Sequence, residues 1–287
     1  MRLRPFELIQ PDTVAEAVDA LGNTGGEAKL IAGGTALVPM IRLGLIRPDH
    51  VIALHRVSGL AEIKAEQDVL HLGAMVTMAD LHRAPIVRSG WPLLAEAAGR
   101  VATPAIRSSA TLGGNLGYAE AASDVAPALL CLEALIETAG PGGQRSLPIA
   151  RFFTGFYETA LEPGEIVTGV RVPASPTGAV SGYVKFCSRS AEDKPLVGVA
   201  ALLVLDPDSG RCREARIALG GAAPTAMRAG GAEKALSGEA PRSRALSTTR
   251  KSKLRSRAYT TSTTNGSVNR RWLMITVWRP MGKWVLE

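Results

Sequence analysis

The sequence predicts an α+β protein, with two α/β segments followed by a smaller antiparallel sheet and one helix. Three observations lead to that class. Short apolar runs alternate with stretches at helical spacing over roughly the first 175 residues. Two further apolar runs, Tyr183–Phe186 and Val197–Leu205, lead into the turn residues Asp206-Pro207-Asp208-Ser209-Gly210 and a third run, Glu214–Leu219, the pattern of an antiparallel meander. Between these elements lie two glycine-rich segments, Ala32-Gly33-Gly34-Thr35 and Thr111-Leu112-Gly113-Gly114-Asn115, each carrying a threonine hydroxyl. Glycine lacks a Cβ and lets a backbone come close to a ligand, and successive N–H groups in such turns suit an anion. A pair of them predicts a pyrophosphate held from two sides.

Each element has a local reason. Asp12-Thr13 caps a helix through Val14–Leu21, which stops at Gly22-Asn23. Leu30-Ile31-Ala32 is a strand running into the first glycine pair. Leu37, Met40, Ile41 and Leu45 follow at helical spacing, and Val51–Leu54 is the next strand. The glycine turn therefore opens a helix inside a β-α-β-like unit, where backbone donors and the helix dipole favour an anion. Val69–Ala74 reads as a strand and Thr77 as the cap of a helix through Leu81. Pro92–Ala98 is a helix leading to the second glycine segment, predicted as a loop. Asp124 precedes the apolar stretch Pro127–Leu130, Gly140–Gly143 is a turn, and Glu165–Pro173 is a closing strand. After the meander, Ala232–Leu236 is a helix.

Composition narrows the function. The chain has 287 residues, 46% of them hydrophobic and 21% charged, enough for a substantial core. Its first residues lack the apolar centre of a signal peptide, and no apolar run reaches the roughly 18 to 20 residues of a bilayer span, so a soluble cytoplasmic protein is expected. Cys131, Cys187 and Cys212 are scattered, and His50, His55, His71 and His82 lack ligand spacing, so no metal is expected on this chain. The net charge of +7 is uneven: residues 242–287 hold eleven Lys/Arg against Glu287 alone, a balance of +10, which leaves −3 for the rest. That tail is rich in Ser, Thr and Arg from 242 to 269 and carries Trp272, Trp278 and Trp284; its low apolar content predicts weak packing. The dinucleotide fingerprint G-x-G-x-x-G, the Walker lysine and the G-x-S-x-G elbow are all absent.

Three stretches together resemble a known family. Lys29–Leu37, Ile106–Leu116 and Ala122–Leu130 are similar to the FAD-binding medium subunits of the xanthine dehydrogenase and carbon monoxide dehydrogenase family of molybdenum hydroxylases. The likeness extends through Ile217–Thr225, to about residue 240. It implies an FAD-binding domain of the vanillyl-alcohol-oxidase type, with subdomains at 1–57 and 58–175. A C-terminal domain at 176–241 and an atypical basic tail at 242–287 would follow. It implies FAD contacts from Leu30, Ile31, Ala32, Gly33, Gly34, Thr35, Ala36 and Leu37 around the pyrophosphate, and from Thr111, Leu112, Gly113, Gly114 and Asn115 in the second segment. Asp124 matches an acid that approaches the cofactor, where a carboxylate suits hydroxyl or amino donors; its plainer reading is a helix N-cap. Val101 and Val167 match apolar contacts and otherwise read as core. Lys185 matches a lysine near the flavin and otherwise reads as surface.

The sequence departs from the family at Ala36, where a polar or acidic residue is usual, and beyond residue 242, where the usual helical end is missing, as after a shifted reading frame or in a diverged terminus. The resemblance further implies a molybdenum-cofactor large subunit and a small subunit with two [2Fe–2S] clusters, assembled as a dimer of heterotrimers. Electrons would reach FAD and then NAD or another acceptor, and this chain would need no acid–base or nucleophilic catalyst of its own. Two other readings stay open: a self-contained FAD oxidoreductase of the same superfamily, and a phosphate- or nucleic-acid-binding protein using the basic tail.

Overall fold

The computed structural model describes residues 4–24 and 28–241, together with the backbone at 277–278 and 285–286. The expectation of a weakly packed stretch at 242–269 lies outside the described residues.

The chain begins with a three-stranded parallel sheet of β1 (Glu7–Ile9), β2 (Ala28–Ile31) and β3 (His50–Ala53), in the order β1-β3-β2. Helix α1 (Val14–Asn23) joins the first two strands. Its capping box is complete: Thr13 Oγ1 accepts from Glu16 N, and the Glu16 carboxylate accepts from Thr13 N. Helix α2 (Leu37–Arg42) joins β2 to β3, so residues 32–36 occupy the carboxyl end of β2. A connection between parallel strands at that end of a sheet is where ligands of α/β proteins commonly sit.

The second sheet has five antiparallel strands. It contains β4 (Ile63–Glu66), β5 (Val69–Gly73), β6 (Leu135–Gly140) and β7 (Gly143–Pro148). A small hairpin of β8 (Phe153–Gly155) and β9 (Glu158–Thr159) precedes the fifth, β10 (Ile166–Pro173). The order is β4-β5-β10-β6-β7, so the last strand to be made is the central one. Its burial follows from composition: Ile166, Val167, Val170 and Val172 are all buried.

Six helices separate β5 from β6: α3 (Met78–Arg83), α4 (Pro85–Gly90), α5 (Pro92–Gly99), α6 (Pro104–Arg107), α7 (Leu112–Tyr118) and α8 (Val125–Cys131). Thr77 caps α3 and Thr103 caps α6 through their hydroxyls, while α4 and α5 start on proline, whose missing N–H would be unpaired there anyway. Alpha5 and α8 are apolar nearly all round and lie in the main core with Trp91, whose indole N–H donates to the Pro173 carbonyl at 2.8 Å.

The third sheet is the expected meander, β11 (Ala179–Phe186), β12 (Val197–Leu205), β13 (Cys212–Gly220) and the short β14 (Met227–Arg228), antiparallel in that order. Alternate residues face opposite sides of a strand. Tyr183, Ala200, Leu202 and Ala218 face the main core; Val199 and Ile217 face α9 (Gly230–Leu236), which packs on the other side. Strands β15 (Val277–Trp278) and β16 (Val285–Leu286) pair with each other.

Candidate cofactor site

The two glycine segments come together, but they are built differently. In the first, the amides of Gly33, Gly34, Thr35 and Ala36 have no hydrogen-bond acceptor among the described residues. Gly34 holds φ +69°, a backbone conformation glycine adopts freely. These four consecutive amides belong to half-buried residues just before α2 and are available as donors.

The second segment corrects an expectation: it is the first turn of α7, not a loop. Thr111 is the N-cap, its hydroxyl accepting from Gly114 N at 3.2 Å. The amides that a loop would have offered are occupied. Leu112 N donates to Val76 O, Gly113 N to Ala74 O at 2.7 Å, and Asn115 N to Thr111 O. Gly113 is glycine because a Cβ there would lie 2.6 Å from that of Ala74, and Gly114 because its Cβ would lie 2.8 Å from Thr111 Oγ1 and 3.5 Å from Ala32 Cβ. This segment therefore buttresses the first loop. Thr111 is buried here, and the side-chain oxygen of Asn115 accepts from Ser123 Oγ at 2.7 Å.

That contact leads to the polar centre of the site. Asp124 begins α8, yet its side chain does not cap the helix; the neighbouring Ser123 hydroxyl does so, accepting from Ala126 N. Asp124 thus holds the N-cap position of α8, as one reading of the sequence expected, but its carboxylate does no capping and is free for other partners. Asp124 Oδ2 accepts from Lys185 Nζ at 3.0 Å and Oδ1 from the Tyr183 hydroxyl at 2.8 Å. Both charged side chains are buried, with 6% and 4% of their surface exposed, so Lys185 is no surface lysine. Burial pushes the Asp124 carboxyl above its ordinary range, while Lys185, the Tyr183 hydroxyl and Arg100 favour the anion. Lys185 also donates to the Arg100 carbonyl at 2.8 Å, which places it next to Val101.

Val101 and Val167 are packed with the main core, Val101 half-buried and Val167 buried. Val167 stands at a bulge of β10 against β6, one residue before Thr168, whose carbonyl accepts from Ala74 N. Leu30 lies on the core around α1, Ile31 touches the Gly34 position, and Leu37 opens α2. Ala36, the N-cap of α2, makes no side-chain cap bond, as its methyl group requires. Sequence reading missed Tyr183; its position two residues from Lys185 on one strand was the available signal. Among the described residues no group of three His, Cys, Asp or Glu side chains is arranged to hold a metal, and no helix is long and apolar enough to cross a membrane.

Residues 4–175 match the family model of the FAD-binding domain in molybdopterin dehydrogenase, well over half the chain. The chain belongs to that family. A second match, to the CO dehydrogenase flavoprotein C-terminal domain, covers residues 182–272. Among the chain's relatives, the carbon monoxide dehydrogenase medium chain of Hydrogenophaga pseudoflava is 38% identical over 235 residues, 82% of this chain and 81% of that protein. A putative xanthine dehydrogenase FAD-binding subunit of Escherichia coli strain K12 is 35% identical over 77% of this chain and 76% of its own length. The fold agrees as well. The solved carbon monoxide dehydrogenase of Hydrogenophaga pseudoflava, a form that lacks the Mo-pyranopterin moiety, superimposes with TM-score 0.80 at 39% identity, covering 84% of this chain and 83% of its counterpart. Quinoline 2-oxidoreductase from Pseudomonas putida 86 gives 0.78 at 32% identity, covering 84% and 82%.

Proposed function

We propose that this chain is the FAD-carrying electron-transfer subunit of a molybdenum hydroxylase. The observation that carries the reading is the run of four amides without acceptors, Gly33 to Ala36, set against a buttress whose own amides are already used. Such a cradle suits a pyrophosphate, which offers oxygens to every donor. In this reading Leu30–Leu37 hold the pyrophosphate, Thr111–Asn115 support it and add a hydroxyl and an amide, and Asp124 accepts from cofactor hydroxyl or amino groups. Lys185 supplies the adjacent positive charge, and Val101 and Val167 exclude water from the flavin. Subdomains 1–57 and 58–175 would bind the cofactor between them, and 176–241 would bring Lys185 to it.

FAD, once bound, supplies reversible one- and two-electron chemistry; the chain's residues bind it, orient it and set its electrostatic surroundings. Electrons would arrive from two [2Fe–2S] clusters on a small partner, drawn from a molybdenum cofactor on a large one, and leave to NAD or another acceptor in the cytoplasm. A dimer of heterotrimers is the expected assembly.

The test is purification of the full chain alone and with its partner subunits. The lone chain should show the two flavin absorbance bands with one FAD per chain, and organic substrates should bleach them only when both partners are present. A colourless protein that takes up no FAD overturns the cofactor, and fast substrate-dependent bleaching without partners overturns the subunit role.

A further inference from the structure

We propose that Tyr183 is a positioning residue of the flavin site, its phenol holding Asp124 as the anion shared with Lys185. This rests on the reading of Asp124 and Lys185 as flavin neighbours. Tyr183 and Lys185 are two apart on β11 and so face the same side. Tyr183 is 2% exposed, and its hydroxyl reaches Asp124 Oδ1 at 2.8 Å, while Lys185 takes the other oxygen. Three further elements hold Tyr183 in place. From α5, the Glu96 carboxylate accepts from Tyr183 N at 3.2 Å. From β12, Gly198 leaves the room the hydroxyl occupies, since a Cβ there would lie 2.3 Å from the phenol oxygen. Alpha8 presents Asp124, relieved of capping by Ser123.

Asp124 thus has two side-chain donors and no helix duty. The groups facing it are Tyr183, Lys185 and Cys187 from β11 and the segment after it, and Arg100 after α5; Glu96 reaches it only through Tyr183. Burial already favours protonation of the carboxyl, and burial likewise keeps the phenol protonated, so toward the carboxylate the phenol donates. Removing that donor withdraws half of the side-chain hydrogen bonding that keeps the carboxylate ionised. Asp124 then takes a proton from solvent at higher pH, and the Lys185 ammonium is left without its counter-charge. An uncompensated cation beside the flavin favours reduction, so the flavin midpoint potential rises where Asp124 is protonated.

The experiment follows the midpoint potential of the FAD-loaded full chain against pH by spectroelectrochemistry. In Tyr183→Phe the pH at which the potential bends upward should move up by about one to two units, the worth of one buried hydrogen bond to a charged group. FAD content should be unchanged. Gly198→Ala, which keeps the tyrosine but occupies its space, should move the bend in the same direction, and Asp124→Asn should abolish it. If Asp124→Asn abolishes the bend while Tyr183→Phe leaves it in place, the positioning role is overturned and the flavin site stands. If Asp124→Asn alters neither potential nor FAD affinity, the flavin reading of Asp124 fails and this proposal with it. Should Tyr183→Phe not fold, an unmoved bend in Gly198→Ala overturns the proposal.

Discussion

Gly33 lies against the backbone of Ser109 so tightly that a Cβ on it would sit 1.7 Å from the Ser109 carbonyl oxygen. The first glycine segment is therefore required to be bare by the second half of the site as well as by any ligand. Backbone cannot swing aside as a side chain can, so even a methyl group must force the two segments apart. Gly33→Ala should lower the melting temperature by several degrees and lose FAD together. Gly34 differs: its constraint is φ +69°, and its would-be Cβ meets only the side chains of Val38 and Ile31 at 3.2 and 3.3 Å. Gly34→Ala should fold, with FAD affinity weakened about tenfold as the strained loop turns its amides away. Thermal melts and FAD titration on the two variants separate these outcomes; a Gly33→Ala protein with native melting and full FAD would refute the packing role.

Thr111 caps α7: its hydroxyl accepts from Gly114 N at 3.2 Å. Thr111→Val should cost about 1 kcal/mol, or about 2–4 °C in melting temperature, and weaken FAD binding as well. Thr111→Ser keeps the oxygen and should restore both. Equal loss in the two variants would show that the hydroxyl alone does not account for the role of Thr111.

Glu165 contributes stability that acid should remove. Its carboxylate has 6% of its surface exposed and accepts from Arg145 Nε and Nη2, Glu162 N and Thr138 Oγ1. The Arg145 guanidinium, ahead of every other influence, holds the carboxyl below its ordinary range. With the folded value below the unfolded one, the stabilisation is complete above the unfolded carboxyl range, about pH 4.3, and is lost as pH falls through the folded value. Glu165→Gln should remove about 2 kcal/mol at neutral pH and flatten the stability curve below about pH 4.5. Urea melts between pH 3 and 7 measure both; an unchanged acid limb refutes the assignment.

The three cysteines should react in a fixed order. Burial pushes the Cys131 thiol up to about 12, and its Sγ donates to the carbonyls of Ala200 and Arg216. Cys212 is also buried, while Cys187 is half-buried at the end of β11. Maleimide at about pH 8 needs both thiolate and access. Mass spectrometry of the native protein should find label on Cys187 first, with Cys131 and Cys212 labelled only after unfolding. Early labelling of Cys131 would mean that α8 is not seated on β12 and β13.

What the sequence revealed and what it hid have physical reasons. Thr13, Thr77 and the apolar runs of β3, β5, β10 and β12 were readable because caps and burial are local or periodic signals. The first glycine segment read correctly as an open turn, since Gly34 does require positive φ. The second misled because Gly113 and Gly114 argue against a helix by propensity, about 1 kcal/mol each. The contacts that override propensity, Leu112 N to Val76 O and Gly113 N to Ala74 O, come from residues more than thirty positions earlier. Beta1 was invisible at three residues, and Ser123 was overlooked as the cap of α8 because its neighbour Asp124 is the more familiar choice. Tyr183 was read only as a strand residue; its partner lies 59 positions away, and the one local signal was its place two residues before Lys185.

The place of β10 between β5 and β6 has a consequence for how the protein is made. Val69–Gly73 leaves the ribosome long before Ile166–Pro173, and at ordinary rates of synthesis the delay is about 5–20 s. Until then β5 and β6 lack the neighbour that joins them, and two apolar strand edges wait open. Val167 arrives with the strand that closes them. A nascent chain cut short anywhere before residue 166 should therefore aggregate rather than hold cofactor, and dependence on chaperones should end abruptly once β10 has emerged.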